Sequence, residues 1–200
     1  MTGAIGSHGV RSARERSPET AYELFSRHGI RAVGVDTIIA QSGVAKMSLY
    51  RHFASKDDLV LEFLRERERR WSEDWLRSEI ERRAPDGAGR LLAIFDLFDE
   101  WFRRPDFEGC SFINVLLEFG EPGHPVHVAA ADHLASIRAM LAEFAADAGV
   151  REPAALAAQW HMLMKGSIVA AGEGDLHAAR CGQGLGRLLL EHEGRAATPA

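Results

Sequence analysis

The chain has 200 residues, 46% hydrophobic and 26% charged, a composition of a folded globular protein of one large or two small domains. No run of 18 or more uncharged apolar residues occurs and the first residues lack a signal peptide's apolar core. Neither a transmembrane helix nor a cleaved leader is therefore expected. The net charge of −5 hides an asymmetry: residues 1–56 hold eight Lys and Arg against four Asp and Glu, a net of +4 that leaves −9 for residues 57–200, so a polyanion partner fits the first quarter alone.

Residues 1–16, rich in Gly, Ser and Arg, show no apolar periodicity and read as a disordered basic arm, either idle or touching phosphates without sequence preference. Ser17-Pro18-Glu19 is a helix-start signal, with a hydroxyl cap, a proline at the first helical position and an acid in the first turn. Ala21, Leu24 and Phe25 give that helix one apolar face, and His28-Gly29 ends it. Gly34 stands at the start of the next helix, where a side-chain cap is expected.

Residues 35–56, VDTIIAQSGVAKMSLYRHFASK, read as two short helices joined by a tight turn at Gly43. Val35, Ile38 and Ile39 make the inner face of the first. Leu49 and Phe53, four apart, make that of the second, with Val44 beneath the turn. The outer face of the second carries Lys46, Met47, Ser48, Tyr50, Arg51 and His52. A short helix with donors and cations outward, propped by its neighbour, is the form that a DNA major groove accepts. Lys46 and Arg51 can neutralise phosphates or donate to guanine, Ser48 can donate to base or phosphate, and Met47 suits a thymine methyl. Tyr50 and His52 suit backbone clamping. Lys56, at a helix N-terminus, joins its charge to free amides that can hold one phosphate.

Ser55 caps the next helix, and nothing breaks it before Arg83. Such a helix of about 27 residues spans roughly 40 Å. Leu59/Phe63, Val60/Leu64 and Trp71/Trp75 pair at four-residue spacing, and RERERR at 65–70 reads as a solvated face. Pro85-Asp86-Gly87 interrupts the chain. Residues 88–103 then carry Leu91, Leu92, Phe95, Phe98, Trp101 and Phe102, either as packed core or as the wall of an apolar pocket. The short helix in GCSFINVLLEFG, 109–120, places Asn114 and Glu118 four apart, facing solvent or orienting a ligand.

The loop EPGHPVH at 121–127 brings His124 and His127, with His133 farther on. No cysteine or acid completes a zinc spacing, and surface histidines near a helix start are the expected account. Helices follow at 126–148 and 154–174, and a last one runs to Glu193. The final two are rich in Ala, Gly and Ser, which permits close helix approach within the chain or with a second copy. The tail from 194 reads as disordered. No catalytic constellation is visible. Gly182, Gly184 and Gly186 spell GQGLG without a preceding strand, and there is neither a G-x-S-x-G elbow nor CxxC. The two cysteines, Cys110 and Cys181, fit a reducing cytoplasm. No cofactor and no metal are expected.

The segments ELFSRHGI and TIIAQSGVAKMSLYRHFASKDDL, over residues 17–64, resemble the tetracycline-repressor (TetR) family of bacterial one-component regulators. GCSFINVLLEF is similar to a subgroup governing drug-resistance and catabolic genes. The resemblance implies an all-α fold: a three-helix helix-turn-helix domain at 17–56, then a helical effector-binding and dimerisation domain at 57–193. It implies a homodimer through helices 154–174 and 175–193, a palindromic double-stranded DNA operator, a small-molecule effector, and a repressor acting in the cytoplasm with no membrane partner; the alternatives are a constitutive DNA-binding protein without effector and an enzyme that retains a structural helix-turn-helix. The family's DNA contacts fall on Thr37, Lys46, Met47, Ser48, Tyr50, Arg51, His52 and Lys56. The candidates for the effector cavity are Phe95, Phe98, Trp101, Phe102, Phe112, Asn114, Glu118, Trp160, His161 and Met164. Two positions depart from the pattern: Ile39 replaces the usual small alanine at the helix crossing, and Gly34 replaces a capping threonine.

Overall fold

The computed structural model describes residues 13–196, and no strand occurs among the described residues. The chain forms two compact units, divided between Phe63 and Leu64.

In the N-terminal unit, α1 (Ala13–His28), α2 (Val35–Ser42) and α3 (Lys46–His52) precede α4 (Lys56–Arg67). The helix α1 starts at Ala13, four residues before the expected cap; Ser17 is buried and Pro18 lies inside the helix. The run Arg14–Arg16 is of good helix formers, and the proline removes a hydrogen bond only near the helix start, so the helix extends one turn upstream. Residues 1–12 of the expected arm lie outside the described residues. The core is closed by Phe25, Ile38, Val44 and Leu49 together with Leu59, Val60 and Phe63. Phe63 meets the rings of Tyr22 and Phe25 at 5.4 and 5.7 Å. The first turns of α4 thus belong to this unit, and the division falls beyond Lys56 because their apolar side chains are needed to close its core.

The turn between α2 and α3 is made as the sequence indicates. Gly43 adopts φ +63° and donates its N–H to the Ile39 carbonyl at 3.1 Å. A Cβ there meets nothing within 4 Å, so the backbone angle and not crowding requires glycine. Gly34 caps α2 with no side-chain hydrogen bond. At the start of α4 the caps are reciprocal: Asp58 N–H donates to Ser55 Oγ (3.2 Å) and Ser55 N–H donates to the Asp58 carboxylate (2.9 Å).

The C-terminal unit holds the rest of α4, a π-helical segment (Glu68–Arg77), α5 (Ser78–Arg83), α6 (Gly87–Phe102), α7 (Ser111–Glu118), α8 (Pro125–Asp147), α9 (Pro153–Gly172) and α10 (Ala178–Ala196). The helical run over 56–83 is unbroken but not uniformly α. Arg69 pairs with Glu66 three residues back and with Asp74 five residues on, at 2.7 and 2.6 Å. Residues five apart sit roughly 140° apart on an α-helix, whereas the wider π turn, bonded i to i+5, brings them together. The charge run at 65–70 is therefore more than a solvated face. Arg69, helped by Arg70, holds the Glu66 carboxyl down to about 2 against the effect of its partial burial.

Asp86 caps α6 by accepting from Gly89 N–H at 2.8 Å. The aromatic load of α6 is core: Phe95, Phe98, Trp101 and Phe102 are buried, packed with Trp160 and Phe144. The GQGLG glycines belong to packing and not to a phosphate loop. A Cβ on Gly182 would lie 2.5 Å from Ser167 Oγ and 2.6 Å from Phe95, and one on Gly186 would lie 2.6 Å from the Trp160 ring. These two, four apart, let α10 lie against α6 and α9, while Gly184 faces open space. Residues 194–196, expected in a disordered tail, continue α10; residues 197–200 lie outside the described residues.

Candidate functional site

On α3, Leu49 is buried while Lys46, Met47, Tyr50, Arg51 and His52 are exposed and Ser48 is half-buried. Thr37 is exposed near the start of α2. Met47 is 78% exposed; a large apolar side chain held in water on a helix of only seven residues contributes nothing to the fold. The Lys46 ammonium lies 3.3 Å from Asp36, with both side chains more than 60% exposed. Such a pair contributes about 0–1 kcal/mol, little enough for a phosphate to replace it. Lys56 is placed differently from the rest. It is half-buried, and its ammonium donates to the Ile30 carbonyl at 2.6 Å, tying the start of α4 to the segment between α1 and α2. Six of the eight expected DNA contacts are thus exposed, Ser48 is half-buried, and Lys56 is engaged by the chain itself.

The C-terminal unit contains a cavity of about 20 Å³ between the π segment, α7, α8 and α9. Its apolar wall is Ile113, Leu134, Ile137, Met164 and Ile168; its polar groups are Trp71, Cys110, His133, His161 and Lys165. The volume admits a water molecule but falls far short of the roughly 300 Å³ and upward of small-molecule pockets. Among the expected cavity residues, His161 and Met164 line this space. Phe95, Phe98, Trp101, Phe102 and Trp160 fill the core beside it, Asn114 is exposed and Glu118 half-buried. Phe112 stacks on His133, with ring centroids 3.5 Å apart and planes 16° from parallel.

His133 is therefore not the surface histidine expected near a helix start. Ala130, Leu134 and Ile137 flank it on the inner face of α8, and it is 4% exposed. The other two histidines of that group serve local structure. His124 Nδ1 accepts from Val126 N–H (3.3 Å) at the cap of α8, and His127 Nδ1 lies 2.6 Å from the Phe119 carbonyl. Burial pushes the His133 imidazole below the usual histidine range, partly opposed by Glu68, whose carboxylate is 3.1 Å from Nδ1 but outside hydrogen-bond geometry. His161 falls further, to about 4, through burial first and then the charges of Lys165 and Arg138. Burial pushes the Cys110 thiol up. At neutral pH the cavity therefore presents two neutral imidazoles and an un-ionised thiol. Sequence reasoning missed Trp71, His133 and Lys165; the available signal was a histidine at helical spacing within an apolar stripe.

The pattern for bacterial regulatory proteins of the tetR family matches residues 19–63. The chain is 38% identical over 60 residues to the HTH-type transcriptional regulator QacR of Staphylococcus aureus, covering 30% of this chain and 32% of that one. It is 43% identical over 56 residues to the HTH-type transcriptional repressor KstR2 of Mycobacterium tuberculosis, covering 28% of each. The match thus spans about a third or less of these curated relatives. Over nearly full length, the chain is 30% identical to a TetR-family transcriptional regulator from Streptomyces coelicolor, with a TM-score of 0.80, covering 90% of this chain and 95% of that one. A tetR transcriptional regulator of Streptomyces avermitilis follows at 29% identity and a TM-score of 0.76, covering 94% and 98%. An N-terminal helix-turn-helix followed by a helical C-terminal unit is the architecture of DNA-binding regulators of the kind these structures represent. The chain belongs to the TetR family of transcriptional regulators.

Proposed function

We propose that the protein is a ligand-responsive repressor that binds a palindromic operator as a homodimer, one α3 in each half-site, and leaves it when a small molecule occupies the C-terminal unit. The observation that carries this reading is the outer face of α3. Cations, hydrogen-bonding tips and an exposed methionine stand on a short helix fixed by the buried Leu49. In this reading phosphate contacts from Lys46 supply affinity and register, while Arg51 and Met47 read base edges. Thr37, Ser48, Tyr50 and His52 add backbone contacts, and Lys56 holds the start of α4 to the Ile30 carbonyl.

Dimerisation through α9 and α10 is supported by the apolar side chains those helices leave in water. Met162 and Val169 on α9, and Leu185 and Leu188 on α10, are each 46% exposed or more. Each pair lies at helical spacing on one face, and a two-fold axis needs one such self-complementary patch. The helical run over 56–83 belongs to both units of the chain. A ligand that prefers one arrangement of this run can bias the spacing of two recognition helices, which must lie about one DNA turn, ~34–36 Å, apart.

Selection of bound sequences from random DNA tests the proposal. The expected product is an inverted repeat with half-sites one helical turn, or a multiple of it, apart. Enrichment of no sequence, or of an asymmetric one, contradicts it.

A further inference from the structure

The cavity beside the π segment holds more unmet hydrogen-bonding capacity than a packed core tolerates. Trp71 Nε1, His133 Nδ1 and His161 Nδ1 are all buried and without a hydrogen-bond partner among the described residues. All three side chains line the same space. The two histidines are at least 96% buried, and each orphaned buried polar atom costs on the order of 1–3 kcal/mol. Three such atoms around one cavity are an arrangement that a bound ligand repairs.

The charges around the cavity select the ligand's sign. Lys165 lines the space, half-buried, with no ion pair among the described residues. The charges that lower His161 after burial are first those of Lys165 and Arg138, both cationic, and then the titratable ring of His133. No carboxylate is among the described lining side chains; Glu68 is the one acid nearby, beside His133 Nδ1. Trp71 Nε1–H is a donor only and Lys165 is a donor only, and each neutral imidazole offers one N–H. Donors and positive charge therefore outnumber acceptors, on a wall otherwise made of Ile, Leu and Met.

We infer that this cavity takes an organic carboxylate: an anionic head received by Lys165, His161 and Trp71, and a hydrocarbon or aryl body packed on the apolar wall. The inference rests on the effector reading above and names its chemical class. A quaternary or primary amine finds no acid on the lining, Glu68 lying outside it beside His133, and a purely apolar compound leaves the buried nitrogens unmet. The present 20 Å³ admits no such body; the wall opens to receive it. Met164 is adaptable, and Trp71 stands on the π segment, where a change of helical register moves it most directly. Entry of ligand and displacement of the helical run over 56–83 are then one event. That coupling makes occupancy readable elsewhere on the chain.

Matched probes on the full-length protein test this: benzoate and octanoate, their amides, and benzylamine and octylamine, scored by thermal stabilisation, tryptophan fluorescence and release of selected operator DNA. At least one carboxylate is expected to stabilise the protein, change its fluorescence and release DNA, with its amide weaker and its amine silent. Lys165→Met and His161→Leu are each expected to weaken carboxylate binding by about tenfold or more, the loss of a charge-assisted contact, while ligand-free operator affinity is retained. Equal binding of amine and carboxylate, or carboxylate binding unchanged in Lys165→Met, overturns the assignment. Release of DNA by amides or amines alone overturns the carboxylate and leaves the effector reading standing. Silence of every probe in all three readouts counts against both.

Discussion

A histidine enclosed by Ile, Leu and Met side chains sits comfortably only while neutral, and this makes His161 a measurable liability. Its folded pKa is lowered to about 4 from the usual 6.5. As pH falls below 6.5 the unfolded chain takes up a proton that the folded chain refuses until about pH 4. Stability is thus full above 6.5 and is lost across that window, by about 3 kcal/mol in total; His133 shifts in the same direction. Urea unfolding at pH 7 and pH 5 is expected to show a loss of about 2 kcal/mol, reduced in His161→Leu because the leucine has no proton to gain. An unchanged pH slope in that variant contradicts the assignment. At this scale the two sites were unequally legible. The α3 side chains are readable because chemistry that faces water serves no core. His133 was misread because its nearness to His124, His127 and the proline start of α8 spoke louder than its apolar neighbours Ala130, Leu134 and Ile137. Lys56 was legible as a cation but not as a tether, since its partner, the Ile30 carbonyl, is 26 residues away.

Among the elements, helix starts and stops followed their side chains closely where a cap or a positive φ enforces them. Gly43 at φ +63°, the Ser55/Asp58 pair and Asp86 at α6 all fall where the residue type indicates. The π segment was not legible. The spacing of Trp71 and Trp75 fits an α-helix as well, and the choice of register depends on ion pairs such as Arg69–Asp74 and on tertiary packing. The glycines of α10 carried a signal whose meaning only packing decides. Glycine inside a helix usually costs about 1 kcal/mol relative to alanine, so Gly186→Ala on an exposed face would stabilise. Here the new Cβ meets the fully buried Trp160 ring at 2.6 Å, and overpacking of about 1–3 kcal/mol outweighs that gain. A lower melting temperature by circular dichroism is the expected result for Gly186→Ala; an increase would show that α10 does not lie against α9 as described.

For the whole molecule, the split of charge suits the proposed reading: a polyanion is attracted by the basic first quarter and repelled by the acidic remainder. The fold class was open to reading because three-four periodicity and the 17–64 pattern agree. The cavity was not, because its walls come from the π segment, α7, α8 and α9 and meet only in three dimensions. No helix among the described residues is long and apolar enough to cross a membrane, and the surface proposed to meet DNA is the outer face of α3. The most direct test of that surface is operator affinity, measured by fluorescence anisotropy, for the wild type, Lys46→Ala and Arg51→Ala, with sedimentation confirming the same oligomeric state for all three. Each substitution is expected to weaken binding by about tenfold or more, the loss of one phosphate or base contact. Unchanged affinity in both variants, with the assembly intact, would contradict the placement of DNA on α3.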